Sequence, residues 1–188
     1  MSDVVGEFVE TGGDVLEGLE LTFSPTSIPL KQRWRNNGLS ADFLADYVST
    51  FLPRDESDPQ AVARLEEVRG AIKYIANELL ENGMKYSEDA FSQPICMKLV
   101  LGADSIVFYE SNAMGLERGK VFRAFVAELL DSDPMEMYVR QLERSAETGA
   151  SGLGLLTMIN DYGARLGWKF DDLGNGGVRV TTQVRIDI

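Results

Sequence analysis

Three polar residues near the middle of the chain have types and a spacing that suit phosphate and metal chemistry. Glu78, Asn82 and Lys85 are separated by four and three residues, so on a helix they lie on one face. A carboxylate, an amide and an ammonium group are then presented together. The segment is also typical of an ordinary solvated helix, in which Glu81 and Lys85 form an ion pair worth about 0.3 kcal/mol.

A glycine-containing segment follows about 65 residues later in the chain. Residues 149–155 read Gly-Ala-Ser-Gly-Leu-Gly-Leu and open into an apolar stretch that we expect to be helical. The first backbone N–H groups of a helix have no partner within the helix, and they bind phosphate well. If the first segment holds a metal ion and water while the second holds an anion, the two together form a site for a nucleoside triphosphate.

The two segments resemble sequence boxes of the GHKL (Bergerat-fold) ATPase superfamily, which includes gyrase, histidine-kinase catalytic domains and bacterial anti-sigma-factor kinases. Glu78, Asn82 and Lys85 match its N box, E-x-x-x-N-x-x-K/H. Residues 150–155 match its second glycine box, G-x-G-L-G-L, except that Ala150 replaces the first glycine. The resemblance spans roughly residues 60–188. It implies an α+β fold, a two-layer α/β sandwich with a mixed sheet and helices on one face, and a single ATP-binding domain over residues 1–188.

The resemblance also implies a role for each residue of the N box. Asn82 would bind Mg²⁺ through its side-chain oxygen, since Mg²⁺ prefers oxygen ligands and keeps several waters. Glu78 would be the catalytic residue, which orients or deprotonates the attacking water or protein hydroxyl. Lys85 would pair with a phosphate as a point charge.

The second glycine box is expected to hold the triphosphate. Gly152 and Gly154 have no Cβ, so the backbone can approach the phosphates closely. Ser151 would add a hydroxyl donor, and Leu153 and Leu155 complete the nucleotide-binding segment by resemblance. The implied cofactors are ATP and Mg²⁺.

The family's first glycine box, D-x-G-x-G, is degenerate in this chain. Asn112 stands where the aspartate would contact the adenine amino group, and Gly115 is the remaining glycine, displaced by one position. The Asn112 oxygen can still accept a hydrogen bond from that amine, and Met114 joins the predicted nucleotide-binding residues. An alternative interpretation is that Ser111 and Asn112 form a plain Asx turn.

A long helix is needed to present the face that carries Glu78 and Asn82. We expect it to begin near Asp58 and Pro59, because proline suits the first helical position. Its apolar residues recur at helical spacing and are expected to face the core: Val62, Leu65, Ile72, Ile75 and Leu79. Glu78 and Asn82 then lie at the edge of the buried face, anchored by packing and open to a cleft.

The remaining elements follow from periodicity and from the positions of proline and glycine. Residues 1–18 are expected to form a loose or edge segment. The predicted elements after it are a strand over 19–23, a helix over 40–48 with Ser40 as N-cap, a hairpin of 95–101 and 105–110, a helix over 155–166 ending at Gly167, and strands over 168–171 and 178–188.

Residues 115–148 are predicted to form two helices separated at Asp133 and Pro134. Two apolar stripes support this prediction: Phe122, Phe125, Val126 and Leu129 in the first helix, and Tyr138, Val139 and Leu142 in the second. They are typical of ordinary core-facing helices. In relatives this region carries the ATP lid, so the alternative is that part of it covers nucleotide.

Composition excludes several classes of function. A net charge of -12 argues against nucleic acid or an anionic membrane as the main partner. The chain contains no histidine, so it cannot phosphorylate itself on histidine or build histidine-based metal sites and triads. Cys96 is the one cysteine, which fits a reducing compartment. With neither a signal peptide nor a membrane-spanning stretch in the sequence, we expect a cytoplasmic protein.

Three functions remain open at the level of sequence. The first is an ATP-dependent protein serine/threonine kinase of the anti-sigma or partner-switching type, favoured by the intact Glu78 and Asn82. The second is a non-catalytic module that senses nucleotide or docks a partner, favoured by the degenerate first box and by Ala150. The third is a conformational ATPase like gyrase, which is disfavoured because no coupled domain is present in the chain.

The resemblance to partner-switching proteins implies a protein partner, such as a small STAS-type antagonist that the protein would phosphorylate or bind. The acidic composition favours a partner with a basic patch. The sequence leaves the oligomeric state open, a homodimer included.

Overall fold

Six β-strands form one layer of the molecule and five α-helices form the other, within the residues that the computed structural model describes, 2–10, 15–24, 34–148 and 152–188. The strands are β1 (Ser2–Gly6), β2 (Glu17–Phe23), β3 (Ile95–Leu101), β4 (Ser105–Gly115), β5 (Arg165–Asp172) and β6 (Gly177–Asp187). The helices are α1 (Trp34–Ser49), α2 (Pro59–Tyr86), α3 (Leu116–Asp131), α4 (Pro134–Thr148) and α5 (Leu153–Tyr162), with a short 3₁₀ helix at Asp89–Phe91. The predicted α+β class is confirmed.

The strands form one sheet in the order β1-β5-β6-β4-β3-β2. Every neighbouring pair among these strands is antiparallel, so the expected mixed sheet is corrected to an antiparallel one. The reason is the length of the connections. A few residues join β3 to β4 and β5 to β6, and parallel neighbours need a crossover of about a dozen residues or more. β1 lies at one edge, as the loose or edge segment predicted for 1–18 allows.

The helices cover one face of this sheet. Along β4, Ile106 and Phe108 are fully buried, whereas Val107 and Tyr109 on the opposite face are partly exposed. This alternation has the period of two that a strand with one buried face requires. Ile75 and Leu79 of α2 belong to the same buried cluster as the β4 residues, so the core lies between the two layers.

The long helix α2 carries the predicted site residues in its last turns. As predicted, it begins at Pro59, and the Asp58 side chain caps it by accepting a hydrogen bond from the Gln60 N–H at 2.9 Å. The predicted core residues Leu65, Ile72, Ile75 and Leu79 are buried. Val62 is the exception, at 42% exposed.

The strand β4 is longer than the sequence predicts. It continues through Ser111 and Asn112 to Gly115, and these two residues pair with Thr181 and Val180 of β6. The Asx-turn interpretation is therefore wrong. Pairing with the equally long β6 satisfies the backbone hydrogen-bonding groups of this segment. Local sequence signals do not reveal such a distant partner strand.

Two helix boundaries also differ from the predictions. α1 begins at Trp34, so Ser40 lies inside the helix rather than at its N-cap. α5 ends at Tyr162 because Gly163, the C-cap residue, adopts a left-handed conformation (φ 61°) that stops the helix. Leu166 and Gly167, predicted to end that helix, lie instead in β5.

The two helices over 115–148 are present, and the predicted break is confirmed. Asp133 caps α4, since its Oδ1 accepts from the backbone N–H groups of Met135 and Glu136 at 3.0 Å. Val126 and Leu129 of α3 are buried, but Val139 and Leu142 of α4 are each 50% exposed. The second stripe is therefore only partly a core face. Among the described helices, none has the length and apolar character needed to cross a bilayer.

Candidate functional site

A cavity of about 370 Å³ opens between the helical layer and the sheet, beside the last turns of α2. The second half of β4 and part of β6 form its floor, α3 and α4 contribute a wall, and the start of α5 closes the side next to α2. Its volume lies within the range of small-molecule sites, roughly 300–1,000 Å³.

Most of the residues predicted to form a site line this one cavity. They come from three separate segments of the chain: Glu78 and Asn82, then Asn112 and Met114, then Gly152, Gly154 and Leu155. The fold thus brings the N-box residues, the degenerate first box and the second glycine box to the same space. That they bind nucleotide there stays a prediction.

Three predicted residues are placed differently. Lys85 is exposed and does not line the cavity; its ammonium group lies 5.2 Å from the ring centroid of Tyr86, which does. Leu153 is half-buried and also lies outside the lining. Ser151, together with the substituted Ala150, falls outside the described residues.

Glu78 is half-buried against the beginning of α5. Burial raises the pKa of its carboxyl above the ordinary value, the neighbouring Glu81 raises it further, and Lys85 acts in the opposite direction. A carboxylate with a raised pKa is a stronger proton acceptor than one in free solution. Gly154 leaves the space for this carboxylate, since a Cβ at that position would collide with Glu78 Oε2.

The N-terminus of α5 lines the cavity. Gly152 occupies the N-cap position and supplies no side-chain hydrogen bond to the first turn. Gly152, Gly154 and Leu155 border the cavity, so the first turn of the helix, whose N–H groups have no partner within the helix, lies at its edge. Gln141 of α4 packs against Gly152, where a Cβ would come within 2.8 Å of its Nε2. This end of the cavity suits an anion.

Sequence reasoning missed the cation of this cavity. Arg118, in the first turn of α3, is the sole basic residue among the described residues that line it. Its Nη1 lies 3.5 Å from the Tyr86 carbonyl oxygen and 3.5 Å from Glu88 Oε1. The side chain is 49% exposed, so it can turn toward an anion. The signal available in the sequence was the position of Arg118 shortly after the degenerate first box, whose last residue is Gly115.

Sequence reasoning also missed most of the apolar wall. Val121, Phe122 and Phe125 of α3 line the cavity, and Val121 is 72% exposed. Aromatic and aliphatic side chains in this position can cover one face of a planar ring. Part of this helix packs on the core and part of it borders the cavity; that it covers nucleotide stays a prediction.

Glu110, on the buried polar floor of the cavity, is the third feature that sequence reasoning missed. Glu110 lines the cavity and is 2% exposed, and its Oε1 has no hydrogen-bond partner. Burial raises the pKa of this carboxyl well above its ordinary value. Two residues further along β4, Asn112 is 5% exposed and its Nδ2 is also without a partner. A signal existed, since Glu110 shares the buried face of the strand with Phe108.

The donor set fits a magnesium ion held mainly by a ligand's phosphates. The described residues contain no group of three or more acidic, histidine or cysteine side chains that could hold a metal alone. The cavity offers the Asn82 amide oxygen and the Glu78 carboxylate. Mg²⁺ commonly uses one or two protein oxygens together with phosphate and water, so Asn82 is a suitable protein ligand for such an ion.

Comparisons with known proteins identify a shared fold. No protein-family model matches this chain, and no curated protein matches it. A chain in the crystal structure of the SiaB–SiaC complex from Pseudomonas aeruginosa matches with a TM-score of 0.59 and 14% sequence identity, covering 93% of this chain and 91% of that one. The likeness extends over nearly the full length of both chains, and at this identity it concerns the fold.

Proposed function

We propose that this protein binds Mg-ATP in the cavity and transfers the γ-phosphoryl group to a serine or threonine hydroxyl of a small partner protein. The observation that carries the proposal is the meeting of Glu78, Asn82 and the N-terminus of α5 in one cavity. These groups lie on separate parts of the chain, and together they supply what phosphoryl transfer requires: positioning, charge neutralisation and a proton acceptor.

The triphosphate would lie against the N-terminus of α5. Backbone N–H groups there stabilise negative charge, and the absence of a Cβ at Gly152 and Gly154 lets the phosphates approach. Arg118 on the other side of the cavity supplies a positive charge from a partly exposed position. Mg²⁺, when bound, neutralises phosphate charge, and Asn82 would be its protein ligand.

Glu78 would accept the proton of the attacking hydroxyl. Its half-buried carboxyl has a raised pKa, which strengthens it as a base. Gly154 keeps the carboxylate next to the α5 N-terminus, where the phosphate would be. The base and the phosphoryl group are thereby held in adjacent positions, which lowers the entropic cost of the reaction.

A protein partner is supported by two independent considerations. The sequence resembles partner-switching proteins, and the fold matches a chain from a structure described as a complex of two proteins, SiaB and SiaC. The net charge of -12 favours a partner that presents a basic surface. A STAS-type antagonist is the partner class that the resemblance implies.

A second candidate function is a non-catalytic module that binds nucleotide or docks a partner. The specific observation in its favour is the position of Lys85, which is exposed and outside the cavity lining, so one residue of the N box does not reach the site. The replacement of the first-box aspartate by Asn112 points the same way. In this case the protein would bind Mg-ATP without transferring phosphate.

The test has two stages. Isothermal titration calorimetry with ATP, in the presence and absence of Mg²⁺, is expected to show binding that depends on the metal. The Asn82→Ala variant should lose that dependence. The Glu67→Gln variant, an exposed change on the same helix α2, serves as the control and should behave like the wild type. Absence of binding at millimolar Mg-ATP would contradict the kinase proposal and would leave a module that docks a partner without nucleotide.

The second stage distinguishes the two candidates. Purified protein and γ-³²P-ATP are added to a dialysed, ATP-depleted lysate of the source cells, and labelled proteins are resolved and hydrolysed to phosphoamino acids. The kinase proposal predicts one small labelled protein carrying phosphoserine or phosphothreonine, absent when the Glu78→Gln variant is used. Tight Mg-ATP binding without such labelling would support the non-catalytic module.

A further inference from the structure

The cation that lines the cavity is held at the rim by two acceptors. Arg118 Nη1 lies 3.5 Å from the carbonyl oxygen of Tyr86 and 3.5 Å from Glu88 Oε1. Tyr86 is the last residue of α2, so its carbonyl has no partner within the helix and lies at the negative end of the helix dipole. The two acceptors therefore attract the same guanidinium nitrogen.

The backbone of Glu88 is anchored on both sides. Its N–H donates to the Ala113 carbonyl oxygen at 3.0 Å, which joins the segment after α2 to the end of β4. Its own carbonyl accepts from the Phe91 N–H at 3.2 Å, at the short 3₁₀ helix. The Glu88 side chain is 35% exposed, does not line the cavity, and forms its ion pair with Arg118. A fixed carboxylate therefore lies beside the cavity, in contact with the arginine that lines it.

The remaining glycine of the degenerate first box provides the space for this carboxylate. Gly115 has φ -64° and ψ 151°, an extended conformation that any residue can adopt, so its backbone does not require glycine. A Cβ at this position would lie 3.2 Å from Glu88 Oε2, which is tighter than an ordinary van der Waals contact. Gly115 is the N-cap of α3, whose first turn carries Arg118. One short segment thus supplies both the arginine and the room for its acidic partner.

The ion pair between Arg118 and Glu88 is weak enough for a ligand to replace. The two side chains are 49% and 35% exposed, so water screens their attraction, and such a pair changes an equilibrium by at most about fivefold. A guanidinium group forms charge-assisted hydrogen bonds with phosphate as well as with carboxylate. A triphosphate carries several negative charges and attracts the guanidinium more strongly than one carboxylate does. Glu88 can therefore hold the arginine in place without withholding it from a phosphate ligand.

We infer that Glu88 is a positioning residue that holds Arg118 at the rim of the cavity and competes with the ligand's phosphates for it, and that Gly115 makes room for its carboxylate. The inference rests on the proposed function, since it takes Mg-ATP as the ligand. Arg118 exchanges one anionic partner for another when the nucleotide binds. Glu88 therefore lowers the affinity of the cavity for Mg-ATP, and it does so only through Arg118.

The test is a double-mutant cycle on the affinity for Mg-ATP, measured by calorimetry on the 188-residue protein. Glu88→Gln removes the charge and keeps the size of the side chain, and it is made alone and together with Arg118→Ala. Glu117→Gln is the matched control. It removes the same charge from the residue next to Arg118, but Glu117 pairs with Lys120 and does not line the cavity. Thermal midpoints without nucleotide verify that each variant is folded.

We expect Glu88→Gln to bind Mg-ATP about threefold more tightly than the wild type, and Glu117→Gln to bind it within about 1.5-fold of the wild type. When Arg118→Ala is present, Glu88→Gln should change the affinity by less than about 1.5-fold, because no guanidinium group is left to release. An equal gain with and without Arg118, an equal gain in Glu117→Gln, or no gain in Glu88→Gln would overturn the inference and leave the proposed function standing. If none of these proteins binds Mg-ATP, the inference and the kinase proposal are both overturned.

The part of Gly115 is tested on the thermal midpoint without nucleotide. The three atoms nearest to a Cβ at position 115 all belong to the Glu88 carboxyl group. Gly115→Ala should therefore lower the midpoint by at least about 2 °C more in the wild type than in the Glu88→Ala variant. Any cost of losing glycine at the N-cap of α3 is common to both proteins and cancels. Equal shifts in the two proteins would overturn the assignment of Gly115.

Discussion

The two ends of the cavity are built by different means. The α2–α5 end consists of Glu78, Asn82 and the glycines that begin α5, and each of these residues belongs to a recognisable sequence box. The β4 end consists of Glu110, Asn112 and Met114, which lie on a strand and match no intact box. A helix face or a helix N-terminus is a local arrangement that a few residues can specify. A strand floor depends on the partners of the strand.

The difference between the two ends shows that groups for chemistry and groups for ligand contact are specified in different ways. Under the proposed function, the α2–α5 end must supply a base, a metal ligand and backbone donors at defined positions, so we expect it to tolerate little change. The β4 end instead presents two buried polar side chains, Glu110 and Asn112, each with an atom that has no hydrogen-bond partner in the protein.

Loss of the base at the α2–α5 end should produce the largest effect. We expect Glu78→Gln to reduce phosphoryl transfer by about 10²–10³-fold, because the amide cannot accept the proton, while the Kd for Mg-ATP changes by less than about threefold. Transfer is measured as the initial rate of labelling of the partner, and binding by calorimetry. If affinity and transfer fall together by the same factor, Glu78 is a binding residue and its assignment as the base is wrong.

The next largest effect is expected from the two basic residues near the cavity, Arg118 and Lys85. Arg118 lines the cavity and Lys85 does not, although Lys85 belongs to the N box. We expect Arg118→Ala to weaken Mg-ATP binding by about tenfold, the equivalent of one charge-assisted hydrogen bond of about 1.4 kcal/mol, and Lys85→Ala to weaken it by less than about twofold. If Lys85→Ala weakens Mg-ATP binding more than Arg118→Ala does, Lys85 reaches the phosphates once nucleotide is bound.

A pair of glycines on α2 tests the β4 end without altering its polar groups. A Cβ at Gly83 would collide with Glu110 and approach Ile95 Cγ2 at 3.1 Å, whereas a Cβ at Gly70 meets nothing within 4 Å. We expect Gly83→Ala to destabilise the protein by about 1–3 kcal/mol. Gly70→Ala should stabilise it by about 0.5–1 kcal/mol. Urea unfolding measures the free energy of unfolding of both variants. Equal changes in the two variants would show that the Glu110 side chain is free to move away from a Cβ at position 83.

The pH dependence of stability should give the smallest effect and the most specific one. Because folding raises the pKa of Glu110, the folded state holds this proton more tightly than the unfolded state. Stability contributed by the group is therefore complete below the ordinary value near 4.5 and is lost as pH rises toward the folded pKa. Glu110→Gln removes this dependence. The free energy of unfolding of the variant relative to wild type should increase with pH by at most about 1.4 kcal/mol per unit.

Urea unfolding from pH 5 to pH 8 measures this difference. Glu78 also has a raised pKa, but it is present in both proteins and its contribution cancels. A difference that stays constant across the range would mean that Glu110 is ionised in the folded protein. In that state the carboxyl would only accept hydrogen bonds.

The sequence by itself determined the helix that carries Glu78 and Asn82. The Asp58 cap, the Pro59 start and the recurrence of Leu65, Ile72 and Ile75 specify that helix locally, because each signal acts within one or two turns. The hairpin of β3 and β4 and the break before α4 followed for the same reason. The glycine segment could be assigned to a helix start because its first turn contains its own signal.

The tertiary structure alone decided that these separate segments share one cavity, and that Glu110 and Arg118 join them there. The extension of β4 past Ser111 depends on pairing with β6, more than 60 residues later, and no local pattern reports a distant partner. The same pairing buries Glu110 and places it beside Asn112, while the packing of α3 brings Arg118 to the opening and leaves Lys85 outside. Local interactions specify where a helix begins and which face it buries, but burial and juxtaposition across the sheet depend on contacts between residues far apart in the chain.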